Sequence, residues 1–166
     1  MAITINGSGS LGGVTSLPTT GLQLADSNMP AGSVLQVVST ANSSQTITSS
    51  TSYVAVTGLS ASITPSSTSN KIFALVNLNM YWATSNEFAA VIYRNGSAIV
   101  ANDGLADAYN GSSDGIVTVP LIYLDSPSST SSLTYSVYIK RTQGSGNLYS
   151  NIRSTTNTIT LMEIAG

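Results

Sequence analysis

An antiparallel β-sandwich of jelly-roll type, led by an extended N-terminal arm, is the fold class this all-β sequence predicts. Three observations carry it. Residues 71–82 (KIFALVNLNMYW) alternate with period two: Ile72, Ala74, Val76, Leu78, Met80 and Trp82 share one face, and Phe73, Leu75, Asn77, Asn79 and Tyr81 the other. Asn95-Gly96 separates two short β-type runs and signals a tight hairpin, because a type I′ turn needs positive φ twice in succession. Further short runs of this kind recur along the chain between clusters of Gly, Pro, Asn and Ser, and no window shows convincing 3.6-residue periodicity.

Residues 1–32 read differently from the rest. Ile3-Thr4-Ile5 suffices for one short strand, but the run Asn6-Gly7-Ser8-Gly9-Ser10-Leu11-Gly12-Gly13, with Pro18, Gly21, Pro30 and Gly32 after it, suits neither helix nor long strand. Ile3, Ile5, Leu11, Val14, Leu17, Leu22 and Leu24 are apolar residues that a plain linker does not require. An arm lying on another surface is therefore expected, with a disordered tail as the alternative. Residues 33–166 then form the sandwich. Its strands are expected at 33–39 (SVLQVVS), at the polar run 45–49, and at 53–57, 71–82 and 87–94. The Asn-Gly turn leads back through 97–100, and residues 103–114 read as a Gly-rich loop. Runs at 115–124, 133–141, 148–153 and 158–164 complete the set.

Composition narrows function before any motif does. Only 7% of the 166 residues are charged, and there is no histidine and no cysteine. General acid–base and nucleophilic chemistry usually recruit His, Cys or a paired carboxylate, so the chain reads as a surface and no catalytic residue is assigned. Without Cys there is no disulfide scaffold and no thiolate metal site. Asp26, Glu87, Asp103, Asp107, Asp114, Asp125 and Glu163 stand against Lys71, Arg94, Lys140, Arg141 and Arg153. That balance offers no basic stripe for phosphates, so no nucleic-acid partner is expected. No apolar run approaches the roughly 20 residues of a membrane span, so no membrane partner is expected either. The first residues lack a basic and an apolar region, and no secretory signal is expected. Globular chains normally carry about 25% charged residues. A hydroxyl-rich, weakly charged surface can be buried against copies of itself without desolvating ions.

Four stretches carry a resemblance: Gly32-Ser33-Val34-Leu35-Gln36-Val37-Val38, Thr64-Pro65-Ser66-Ser67-Thr68-Ser69-Asn70-Lys71-Ile72, Leu124-Asp125-Ser126-Pro127-Ser128-Ser129 and Ile159-Thr160-Leu161-Met162-Glu163-Ile164. Over about residues 31–166 the chain resembles a β-domain of virion surface proteins of tailed phages from aquatic bacteria, cyanophages among them. The opening Ala2–Gly9 is similar to the starts of phage structural proteins. The resemblance implies a non-enzymatic bacteriophage structural protein. It would be a capsid decoration (cement) protein, or else a tail-fibre or receptor-binding tip that reads a host glycan. It also implies a homotrimer, with the phage major capsid protein as partner.

The residues themselves add candidate surfaces. Phe73 and Leu75 give strand 71–82 a second apolar face, which suits an intersubunit contact; the alternative is an inner strand beneath a covering loop. Tyr81, Trp82, Tyr109 and Tyr149 are candidates for a glycan-stacking platform. Asp103, Asp107 and Asp114, with Tyr109 and Asn110, share one loop, but their spacing matches no calcium loop, so a solvated turn is expected and no metal or cofactor is assigned. Nothing in the sequence brings Glu87 or Asp125 together with Glu163 as a glycosidase pair.

Overall fold

The computed structural model describes residues 29–82, 86–101, 104–110 and 114–166. Ile3, Ile5, Leu11, Val14, Leu17, Leu22, Leu24 and Asp103 lie outside the described residues. Eleven strands are found among those described: β1 (Val34–Asn42), β2 (Thr46–Thr48), β3 (Val54–Ile63), β4 (Lys71–Trp82), β5 (Asn86–Arg94), β6 (Ser97–Ala98), β7 (Ala106–Asn110), β8 (Gly115–Asp125), β9 (Leu133–Gln143), β10 (Leu148–Ser150) and β11 (Asn157–Ile164). They form two antiparallel sheets.

In the first sheet β4 is flanked by β8 on one side and by β11 and β10, end to end, on the other. Outside those run β1 and β2, again end to end. The second sheet runs β3, β9, β5, with β6 and β7 sharing the far edge of β5. Taking each end-to-end pair as one strand position, the sheets read 1-8-3-6 and 2-7-4-5 in chain order. First thus pairs with last, second with seventh, third with sixth and fourth with fifth. This nested antiparallel winding is the jelly roll.

The core forms where the inward phases of the two sheets meet. Ile72, Ala74, Val76, Leu78, Met80 and Trp82 of β4 are all buried in it, and Phe88, Ile92, Tyr135, Val137 and Ile139 face them from the second sheet. Trp82 closes one end, its ring centroid 5.3 Å from that of Phe88. Gly115 is needed beside it: a Cβ there would collide with the indole of Trp82. The Asn95-Gly96 turn between β5 and β6 has φ of 48° and 84°, the left-handed pair that a type I′ hairpin demands.

Two polar devices hold the other end. Glu163 points inward from β11 and is 1% exposed. Its carboxylate accepts bonds from Gln36 Nε2 (2.5 Å), Ser66 N (2.6 Å), Ser66 Oγ (2.8 Å) and Asn70 Nδ2 (2.6 Å). Burial pushes this carboxyl up, but the bonds from Gln36, Asn70 and Ser66 together outweigh it and hold it below the usual glutamate range. Asp125 Oδ2 takes Arg94 Nη1 at 2.5 Å and the Tyr135 hydroxyl at 2.6 Å.

Three sequence expectations need correction. The strand expected at 148–153 stops at Ser150, and residues 151–156 form a loop before β11. The Gly-rich loop contains a strand, β7, which pairs with the first half of β5. Strand β3 runs on to Ile63 past an irregularity between Ala55 and Ser60, where Gly58 adopts φ +71°. A bulge of this kind breaks the alternation on which a strand is recognised.

Candidate functional site

The outer face of the first sheet is the least conventional surface of the molecule. Eight large apolar side chains remain exposed among the described residues, and all but Tyr109 stand on it: Val34, Val37, Ile47, Leu75, Ile116, Ile122 and Leu124. Strand register explains why. β8 is apolar in both phases, so Val119 and Leu121 turn into the core while Ile116, Ile122 and Leu124 turn out. It is also an edge strand, where Pro120 is tolerated.

Across the sheet the face divides into three bands. At one end Val37, Met162, Phe73 and Leu124 lie side by side, followed by Ser39, Thr160, Leu75 and Ile122. The middle is polar, with Thr158, Asn77, Asn79 and Thr118; Thr118 Oγ1 donates to Asn79 Oδ1 at 2.8 Å. At the far end Ile47, Tyr149, Tyr81 and Ile116 form one row across β2, β10, β4 and β8. The outer face of the second sheet is different in character. Ser60, Ser62, Thr134 and Ser136 line one side of it, and the rings of Tyr93 and Tyr138 stack at 3.9 Å.

The tyrosine row borders a shallow cleft of about 620 Å³ lined by Gln45, Tyr81, Asp114, Ile116, Tyr149, Ile152 and Arg153. The Tyr81 and Tyr149 rings are 5.3 Å apart and tilted by 48°. Tyr81 donates its hydroxyl to Asp114 Oδ2 at 2.9 Å, and that bond raises the phenol above its ordinary range.

The sequence-derived candidates are thus distributed as follows. Phe73 is half-buried and Leu75 exposed, both on the outer face of the first sheet. Tyr81 and Tyr149 meet. Trp82 does not join them, because the next residue along a strand faces the opposite way, here into the core. Tyr109 sits on β7, in the other sheet. Asp107 lies on β7 as well, whereas Asp114 belongs to the Tyr81 cleft. Among the described residues no three metal-ligating side chains cluster. Asp125 and Glu163 flank Ile72 in one inward row, so their backbones are roughly 10 Å apart, two strand spacings. Each carboxylate is buried in its own set of bonds, and fully buried Ile72 stands between them.

Val37, Ile116, Ile122, Leu124, Gln45 and Arg153 are site residues that the sequence reading passed over. The doubly apolar alternation of residues 115–124 was the available signal for three of them.

No protein-family model matches the chain, and no characterised protein sequence matches it. Solved structures similar to it include T=1 particles derived from infectious bursal virus, at 14% identity and a TM-score of 0.36 over 78% of this chain and 36% of that one. Infectious bursal disease virus of the Gx strain is also similar, at 14% identity and a TM-score of 0.38 over 90% and 47%. The chain spans less than half the length of these proteins. The jelly roll is established by the strand order itself.

Proposed function

We propose that this chain is a non-enzymatic structural protein of a virus particle, a homotrimeric decoration (cement) protein on the head surface of a tailed phage. The observation that carries this reading is the uncovered apolar end of the first sheet. Contiguous apolar faces of this kind mark interaction surfaces. The second copy is its occupant, because Val37, Phe73, Leu75, Ile122, Leu124 and Met162 form a stripe whose one charged neighbour in register, Lys71, lies at its margin. Covering each half-exposed side chain gains roughly 1 kcal/mol. Six per subunit reach the range of about 4–15 kcal/mol that association costs.

Residues 1–32 are the proposed arm, reaching the major capsid protein through Ile3, Ile5, Leu11, Val14, Leu17, Leu22 and Leu24. Three arms on one body raise the effective concentration of each contact. The tail-fibre or receptor-binding tip is the second reading, favoured by the Tyr81–Tyr149 cleft. One set of experiments addresses both. Native mass measurement should give about three times 17.0 kDa for the intact chain and a folded monomer for the Ile122→Asp, Leu124→Asp double variant. Deletion of residues 1–28 should leave the trimer intact and abolish binding to phage heads. A monomeric wild type overturns the trimer, retained head binding overturns the arm, and labelling at the tail tip replaces cement by fibre.

A further inference from the structure

We propose that the cleft at the tyrosine end of the same sheet binds a saccharide: one uncharged pyranose ring of a surface polysaccharide, stacked on Tyr149 and bridged through its hydroxyls by Asp114, Arg153 and Gln45. The two bands of the face do different work. Tyr81 lies six positions beyond Leu75 on β4, about 20 Å along the strand, with the Asn77 and Asn79 band between them. Subunit packing over the apolar end therefore leaves the cleft open.

The cleft exists because two strand positions are interrupted at the same level. Residues 43–45 separate β1 from β2, and residues 151–156 separate β10 from β11. Asn151 ties the two breaks together: its Nδ2 donates to Asn42 O at 2.9 Å and Ser44 O at 3.0 Å. Three non-glycine residues of this short loop are left-handed, Asn151 (φ 55°), Arg153 (φ 53°) and Ser154 (φ 60°). Such conformers are sparsely populated outside glycine and cluster at ligand sites. The bonds of Asn151 account for the first. Arg153 and Ser154 are exposed and contribute nothing to the core, and Arg153 lines the cleft. A plain cross-strand tyrosine pair would need none of this.

The lining suits a sugar. Tilted phenol rings present an apolar face to the C–H side of a pyranose, with Ile116 and Ile152 extending it. Few, convergent polar groups then fix orientation: a carboxylate that accepts, a guanidinium that donates and an amide that does both. Tyr81 is already held by its bond to Asp114, so part of the ordering precedes binding. Asp114 and Arg153 carry opposite charges on one rim, which favours a neutral ring over a phosphate or a uronic acid.

The test is a printed array of neutral and acidic oligosaccharides probed with the full chain, followed by calorimetric titration of the retained glycans. Neutral pyranose glycans should be retained. Tyr149→Ala and Arg153→Gln should each weaken binding about tenfold, Tyr149→Trp should preserve it, and Ser62→Ala on the other sheet should leave it unchanged. Circular dichroism of each variant verifies the fold. The proposal is overturned if folded wild-type protein retains no glycan, if acidic glycans alone are retained, or if binding survives the Tyr149→Ala, Arg153→Gln double variant.

Discussion

Glu163 shows how one residue can make a low-charge protein sensitive to acid. Its carboxylate is buried and saturated by Gln36, Ser66 and Asn70, which all donate. Replacement by glutamine keeps the shape but turns an acceptor-only group into one that also donates, so an N–H of the new amide would face other donors. Glu163→Gln should therefore destabilise the fold by about 1–3 kcal/mol near neutral pH. The pH dependence has a definite sign. Because the folded carboxyl titrates below its ordinary value of about 4.3, its contribution is complete above that value and is lost as pH falls through the lower folded one. Denaturant unfolding from about pH 7 down to about pH 3 should show wild-type stability dropping in that window. The variant's curve should be flatter there, and parallel curves would assign the acid sensitivity to another group.

At the scale of elements, legibility in the sequence follows from where each strand's partners lie. Strand β4 announces itself because one phase is almost wholly apolar, and the Asn95-Gly96 turn because its backbone demands those residues. Strand β7 is hidden: Ala106–Asn110 carries little β preference and becomes a strand because β5 offers it an unpaired edge. Phe73 and Leu75 are visible as a second apolar face. That Tyr149 would meet Tyr81 depends on the register of β10 against β4, which no local pattern encodes. The loop that shapes the cleft is equally silent, since its left-handed residues are not glycines. Asn151 should matter most there. Asn151→Ala removes both bonds joining the two interruptions and leaves an alanine at positive φ, so a loss of about 1–3 kcal/mol is expected. Amide exchange should accelerate in residues 43–45 and 151–156 while the β4–β8 ladder stays protected. Uniform acceleration would instead show that the bonds support the whole sandwich.

For the whole molecule, the division between an apolar outer face and a hydroxyl-rich one determines which forces can hold an assembly together. Ionic contacts weaken as salt screens them, within about 10 Å at 0.1 M. Apolar burial behaves in the opposite way: excluded salts such as sulfate strengthen it, and cooling weakens it. A trimer joined through Val37, Leu75, Ile122 and Leu124 must follow the second pattern, since 7% charged residues leave little for ion pairs to contribute. Sedimentation at increasing ammonium sulfate should therefore show the proposed trimer persisting to lower protein concentration, and chilling should shift it toward monomer. Dissociation by moderate sodium chloride would point to charged contacts and remove the outer face of the first sheet from the interface. The same measurement on the Ile122→Asp, Leu124→Asp variant separates the two cases, because only an apolar interface loses its response to sulfate when those two side chains become charged.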